Sequence, residues 1–238
     1  MMTTAWRKPL GVVVGVAALV AIGYTTTASA ADGEQILRSQ CAECHELDEA
    51  GPDSLKALWA QKGPNFSHAG NKYKQDWMAQ WLTAPTRIRP AGMFYGNHIE
   101  PAADHDQVIE ASLVDHVALS ADEAKAVAAA LMQYQGKREL IEQGAYQPGT
   151  ISLSMGDLMF IKFKGCASCH RVAPDYGGIS APEVYTVAKR LQEDYIISFM
   201  KNPQAWSPLT FMPQYHLKEA DLQKFVHYFR ALAKEETQ

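Results

Sequence analysis

The sequence predicts an all-α protein built from two small domains in tandem. Three observations favour this fold: the motif Cys-x-x-Cys-His occurs twice, 125 residues apart; similar residues follow each copy in the same order; and apolar residues recur at helical spacing. No segment has a convincing strand pattern. We expect a first domain at residues 31–147 and a second at residues 148–238, with the boundary in the glycine- and proline-containing stretch 143–150.

The two motifs, which together use all four cysteines, are Cys41-Ala-Glu-Cys44-His45 and Cys166-Ala-Ser-Cys169-His170. This spacing lets two thiols add across the two vinyl groups of one haem, while the adjacent histidine reaches the iron. A redox dithiol or half of a zinc site would use the cysteines and leave the histidines without a role. Because the complete pattern occurs twice, we interpret the motifs as attachment sites for two covalently bound haem c groups.

The amino terminus is typical of an export signal. Arg7 and Lys8 precede an apolar run over residues 10–24, and Ala28-Ser-Ala30 supplies the small residues that a signal peptidase needs. We therefore predict a signal peptide at residues 1–30 and a periplasmic location. The alternative is an uncleaved membrane anchor through residues 7–27, although the apolar run is shorter than the roughly 20 residues of a comfortable membrane span.

Helices are expected at equivalent places in both halves. One helix leads into each motif, around residues 35–39 and around residues 157–164, and Ser154 is a candidate cap for the second. Farther along, two similar stretches place aromatic side chains four residues apart before a proline that ends a helix. These stretches are Asp76-Trp77-x-x-x-Trp81-Leu82-x-x-Pro85 and Asp194-Tyr195-x-x-x-Phe199-Met200-x-x-Pro203.

Each half should also close with an amphipathic helix. In the first half, Ser120-x-x-Glu123 has the pattern of a capping box and precedes apolar residues at helical spacing. In the second half, the same spacing is shown by Leu222, Phe225, Val226 and Phe229.

With these features each half resembles a class I cytochrome c domain, and nearly everything after the signal resembles a tandem dihaem cytochrome c. The resemblance implies that each domain is a small helical bundle around one covalently attached haem, in which the last helix crosses the first at a close contact. It also implies the axial ligands of the two irons. These are His45 and Met93 for the first haem, and His170 and Met212 for the second.

The first half contains an insertion at about residues 94–117 that the second half lacks, and this insertion holds His98, His105 and His116. Any of these histidines is an alternative to Met93 as sixth ligand, and histidine would lower the potential because methionine raises it. The other interpretation is that they are solvated loop residues. A separate metal site built from His98, Asp104 and His105 is a further alternative.

An iron with both axial positions filled by protein has no place for substrate and gains or loses single electrons. The leading hypothesis is therefore an electron carrier, not an enzyme, that relays electrons between a periplasmic or membrane-bound donor and an acceptor oxidase or reductase. The expected donor is a dehydrogenase or a quinol-oxidising complex. One alternative is a haem enzyme with an open or displaceable sixth position at the first haem. Another is the cytochrome subunit of a larger dehydrogenase complex.

Charge bears on the partners. Without residues 1–30 the formal net charge is −6, which argues against a nucleic-acid partner. Residues 31–147 hold 10 basic and 17 acidic residues, whereas residues 148–238 hold 10 and 9. We expect redox protein partners: the acidic first half would meet or steer a basic partner, and the second half would dock through a nearly neutral patch around its haem edge. The alternative is that the acidic residues are ordinary solvated surface residues.

Overall fold

The structure is a computed structural model that describes residues 1–2, 30–48 and 51–235, and within these residues it is mostly helical. The predicted signal peptide falls largely on residues 3–29, outside the described residues, and so it stays a prediction. In the part of the chain that the structure describes, we find no helix with the length and apolar character to span a membrane.

The halves contain similar sets of helices. Those of the first half are α1 (Ala30–Ile36), α2 (Leu55–Ala60), α3 (Ala69–Lys72), α4 (Gln75–Trp81) and α5 (Ala121–Leu131). Those of the second half are α6 (Leu153–Asp157), α7 (Val187–Arg190), α8 (Glu193–Lys201), α9 (Pro203–Trp206) and α10 (Glu219–Glu235). The predicted capping box at the start of α5 is confirmed, since Ser120 and Glu123 cap each other's backbone N–H groups.

Four very short strands form two antiparallel hairpins that the sequence did not predict. They are β1 (Ile99–Glu100) with β2 (Gln107–Val108), and β3 (Arg171–Ala173) with β4 (Tyr176–Gly177). Strands of two or three residues are too short to show an alternating pattern, so the sequence could not reveal them.

In both halves the first helix crosses the last helix at a glycine, which is the close contact that the resemblance implies. Gly33 of α1 lies against the backbone of α5, where a Cβ atom would overlap the carbonyl oxygen of Ala126. Gly156 of α6 lies against the ring of Tyr228 on α10, where a Cβ atom would overlap the ring carbons. The absence of a side chain therefore lets each helix pair approach closely.

The helices that lead into the two cysteine motifs both change from α-helical to π-helical hydrogen bonding near their ends. α1 continues as a π-helical segment over Leu37–Cys41, and α6 continues as one over Leu158–Phe163. Such segments are rare and occur often at functional sites. The N-cap of α6 is Ser152, whose hydroxyl accepts a hydrogen bond from the amide of Met155, so the candidate Ser154 is wrong.

The two halves meet at residues that the repeat makes equivalent. Tyr73 and Leu191 form an isolated antiparallel bridge, and they lie 118 positions apart, as do the aromatic stretches of the repeat. Two reciprocal backbone hydrogen bonds related by the same shift flank the bridge. They run from the Lys74 amide to the Arg190 carbonyl and from the Gln192 amide to the Lys72 carbonyl, both at 2.9 Å.

Side chains repeat this reciprocity. Lys74 Nζ donates to the carbonyl of Ala188 at 2.9 Å, and its counterpart Gln192 donates from Nε2 to the carbonyl of Gly70 at 2.7 Å. Lys74 also forms an ion pair with Glu193 at 3.0 Å. An approximate two-fold axis therefore passes through this contact between the halves.

The insertion of the first half is tied to the body of the domain at several points. Arg87 Nη1 contacts Glu110 Oε2 at 2.6 Å, and Arg87 Nη2 lies 3.9 Å from Asp115 Oδ1. Beyond the insertion, the amide of Leu119 donates to the carbonyl of Leu82 at the end of α4. These contacts fix the far end of the insertion close to the aromatic helix α4.

Candidate haem sites

Each Cys-x-x-Cys-His motif coils into a single turn, and the two turns are alike. In the first, the amides of Cys44 and His45 both donate to the carbonyl of Cys41, at 3.0 and 2.9 Å. In the second, the amides of Cys169 and His170 donate to the carbonyl of Cys166 at 3.2 and 3.1 Å. This turn brings both cysteines of a motif and its histidine to one place on the surface of the helix end.

Each motif histidine is fixed by a proline carbonyl from the loop that follows. His45 donates from Nδ1 to the carbonyl of Pro64 at 2.9 Å, and His170 donates from Nδ1 to the carbonyl of Pro182 at 2.6 Å. A carbonyl oxygen can only accept, so the proton of the neutral ring must lie on Nδ1. Nε2 is thereby left as the nitrogen with a free lone pair, which is the arrangement that a metal-ligating histidine needs.

Burial keeps both rings neutral. It lowers the pKa of His45, with smaller contributions in the same direction from His116 and Lys72, while the hydrogen bond to Pro64 opposes the shift. Burial likewise lowers the pKa of His170, as do the nearby charges of Arg89 and Arg190. A neutral imidazole is the form that binds a metal.

The four cysteines form no disulfide with one another. Cys41 is buried and Cys166 half-buried, whereas Cys44 and Cys169 are exposed. Burial raises the pKa of Cys41, and it raises the pKa of Cys166 to about 11. The more buried cysteine of each motif therefore keeps its proton more firmly than a solvent-exposed thiol would.

Aromatic and small residues surround each histidine and its motif. The Phe66 ring stacks on His45 with 4.1 Å between the ring centres, and a Cβ atom at Gly63 would lie 2.5 Å from the His45 ring. At the second site, Phe160 meets His170 edge-on at 6.2 Å. A side chain at Gly178 would meet the backbone of Cys169 at 2.7 Å. Aromatic and small residues thus position the histidines, and the donor set fits haem.

The candidate methionine ligands lie in loops after α4 and α9. Met212 is half-buried against the core, and its carbonyl accepts a hydrogen bond from Gln204 Nε2 at 2.8 Å. Met93 is half-buried and follows Gly92, whose φ of +74° favours glycine.

The three histidines of the insertion have different surroundings. His98 Nδ1 lies 2.9 Å from the hydroxyl of Ser112, and His105 is exposed between β1 and β2. His116 lies beside the motif histidine of the first site, with 6.1 Å between the ring centres of His116 and His45.

The separate metal site is wrong, because no group of three or more histidine, cysteine or acidic residues within the described ranges could hold a metal ion. His98, Asp104 and His105 are therefore not brought together as ligands. The proline carbonyls were not predicted as functional groups, although Pro64 and Pro182 occupy similar places behind the two motifs.

The model of the cytochrome c family matches residues 30–135. No match was found among curated proteins or among solved structures. The matched segment contains the first motif, the Pro64 loop, the aromatic helix and α5. It therefore includes both His45 and the carbonyl of Pro64 that accepts the hydrogen bond from His45 Nδ1. Residues 30–135 are therefore similar to a cytochrome c domain, and this similarity indicates a covalently bound haem and single-electron transfer, the properties of that family.

Proposed function

We propose that the chain is a dihaem c-type cytochrome that relays single electrons. One observation carries the proposal: the histidine of each motif donates from Nδ1 to a proline carbonyl, so that the same free Nε2 is presented at two places in the chain. A purely structural role for the histidines does not explain why the same hydrogen bond occurs after both Cys-x-x-Cys turns. Two haem irons account for both copies.

The second half supports a second haem on its own geometry. It repeats the turn of the motif, the π-helical segment before it and the glycine contact between its first and last helices. Met212 lies in the loop after α9 and packs against the core, where its sulfur would be the sixth ligand opposite His170. Haem held in this way supplies one-electron chemistry, and methionine ligation favours a high potential.

The contact between the halves supports a relay. From the first site, Phe66 stacks on His45 and meets the ring of Tyr73 edge-on at 6.3 Å, and Tyr73 forms the bridge to Leu191. From the second site, Arg190 lies next to Leu191 and is close enough to lower the pKa of His170. Each motif histidine is thus linked to a residue of this contact, His45 through ring contacts and His170 through the charge of Arg190, which supports exchange of electrons between the two sites.

Lysine and arginine side chains also lie between the two sites. The charge of Lys72 lowers the pKa of His45, and its ammonium group lies over the rings of Tyr73 and Tyr195 at 4.9 and 5.8 Å. The charge of Arg89, from the first half, lowers the pKa of His170, while Arg190 is buried and paired with Glu183. These cations would favour the carboxylate groups of haem at the interface.

The relay would operate outside the cytoplasm, where the predicted signal at residues 1–30 would deliver it. Its donor would be a membrane-bound or periplasmic dehydrogenase or quinol-oxidising complex, and its acceptor an oxidase or reductase. The acidic first half and the nearly neutral second half would present different docking surfaces to these partners.

The number of covalently bound haems tests the proposal. We expect the full chain to carry two haems per molecule by mass and by haem absorbance. Two matched variants, Cys41→Ser with Cys44→Ser and Cys166→Ser with Cys169→Ser, should each retain one. A chain with a single haem, unchanged by the Cys166 and Cys169 replacements, would contradict the dihaem assignment. A large spectral change on adding cyanide to the oxidised protein would contradict the electron-carrier assignment and favour an open haem.

A further inference from the structure

One histidine of the insertion has surroundings that a solvated loop residue would not have. His116 is exposed, yet its ring meets Trp81 of α4 edge-on at 4.7 Å and lies 6.1 Å from the ring of His45. The other two insertion histidines lack this relation to the motif: His98 pairs with Ser112, and His105 lies in the tip between β1 and β2.

The separation of the two rings is that of two ligands on one iron. An imidazole nitrogen lies about 2 Å from a bound metal and about 1.1 Å from the centre of its own ring, so two imidazoles on opposite faces of an iron have ring centres about 6 Å apart. The observed distance between His45 and His116 is 6.1 Å. The angle of 57° between the ring planes is compatible, because each ring can turn about its own iron–nitrogen bond without changing that distance.

The hydrogen bond of His116 leaves Nε2 unprotonated, as the hydrogen bond of His45 does. Its Nδ1 donates to the carbonyl of Val117 at 2.8 Å, which leaves Nε2 with the free lone pair. His45 is arranged in the same way by the carbonyl of Pro64. Each of the two neighbouring rings therefore offers an unprotonated Nε2.

The fold holds His116 in this place from both sides. Asp115, immediately before it, lies beside Arg87, which is also bound to Glu110. Three residues after it, Leu119 is hydrogen-bonded to Leu82 at the end of α4. The backbone on both sides of His116 is thus linked to the aromatic helix and the loop after it, and the insertion brings a histidine to the first site that the second site lacks.

We propose that His116, instead of Met93, is the sixth ligand of the first haem. This inference rests on the proposed function, since it assumes haem at Cys41 and Cys44. The first haem would then have two histidine ligands and the second a histidine and a methionine. Because methionine raises the potential, the first haem would have the lower potential and would pass electrons to the second.

The test uses the full chain with its haems attached and measures two properties of the oxidised protein. These are the methionine-to-iron charge-transfer band and the fraction of high-spin haem by paramagnetic resonance. We expect the wild-type band to correspond to one methionine-ligated haem of two. Met212→Leu should abolish it, and Met93→Leu should leave it unchanged. His116→Gln should turn about half of the haem high-spin, and added imidazole should return it to low spin.

Two further variants guard against a loss of folding. His116→Met should restore low-spin haem and double the charge-transfer band, and His105→Gln, at an exposed histidine of the same insertion, should change nothing. The proposal is overturned if Met93→Leu halves the band or if His116→Gln leaves all haem low-spin. Haem content distinguishes failure of the ligand assignment from failure of the proposed function. A protein without haem at Cys41 and Cys44 overturns the ligand assignment and the dihaem function together. Two haems that each have a methionine ligand overturn only the ligand assignment.

Discussion

Gly33→Ala should lower the free energy of unfolding of the haem-loaded protein by about 2–3 kcal/mol. A Cβ atom at this position would overlap the carbonyl oxygen of Ala126 and lie 2.8 Å from the amide nitrogen of Val127. Both are backbone atoms of α5, so no change of side-chain rotamer can relieve the overlap and the two helices must move apart. Alanine favours a helix interior over glycine by only about 1 kcal/mol, so the steric term wins. Denaturant unfolding followed by helical circular dichroism would measure the change.

Gln35→Ala is the matched control, because residue 35 is exposed on the same helix. It should leave the midpoint of unfolding nearly unchanged. In the second half, Gly156→Ala should act like Gly33→Ala, since its Cβ atom would overlap the ring of Tyr228, which is fully buried and donates to Asp157 at 2.5 Å. Equal stabilities of the Gly33→Ala and Gln35→Ala variants would show that the close approach of α1 and α5 is not needed.

The sequence could predict the parts of the fold that depend on short spacings. The two motifs occupy five consecutive positions each, the aromatic residues of α4 and α8 are four apart, and the capping box spans Ser120 to Glu123. Each of these patterns expresses one turn of a helix, so neighbouring residues alone determine it. The repeat also indicated two similar halves, because equivalent residues recur in the same order.

Features that depend on tertiary contacts could not be predicted in this way. The hydrogen bond from His45 to Pro64 spans 19 residues, and nothing in the composition of the intervening segment indicates it. Ser152 and Ser154 have the same capping chemistry, and only the backbone path before α6 selects Ser152. The position of His116 beside His45 results from how the insertion folds back on Arg87 and Leu82, which a loop sequence does not encode locally.

The contact between the halves is built from equivalent residues of the repeat. Tyr73 and Leu191 pair because each is the counterpart of the other, so one set of residues builds both sides of the interface. The chain then departs from this symmetry where the sites differ, with the insertion and His116 only in the first half. Under the proposed assignment, two like domains with unlike ligands would give the relay its direction, which two identical sites could not.

A buried histidine at this interface should make the stability depend on pH. His68 is 9% exposed, and its ring lies 5.2 Å from the ring of Trp206 and 6.3 Å from that of Tyr195, both from the second half. Burial, together with the charges of Lys72 and Lys137, lowers the pKa of His68 to about 3 from its ordinary value of 6.5. Folding therefore requires the neutral ring at any pH near neutrality.

The sign of the effect follows from where the proton binds. Between pH 6.5 and about 3 the unfolded chain binds a proton at His68 and the folded chain does not. The stability that the neutral ring contributes is fully present above pH 6.5 and is lost as the pH falls through this window. From pH 7 to pH 5 the loss from this one residue is about 2 kcal/mol. Denaturant unfolding of the haem-loaded protein at the two pH values measures it.

His68→Gln should remove this part of the pH dependence, because glutamine does not titrate. The difference in unfolding free energy between pH 7 and pH 5 should therefore be smaller in the variant than in the wild type by about 2 kcal/mol. His105→Gln is the matched control, since His105 is exposed in the insertion, and it should leave the wild-type difference in place. If His68→Gln and His105→Gln lose stability equally between the two pH values, His68 is not buried as a neutral ring between the halves. If the wild type and His105→Gln instead lose about 2 kcal/mol more unfolding free energy than His68→Gln, the contact between the halves is sensitive to acid through this one side chain.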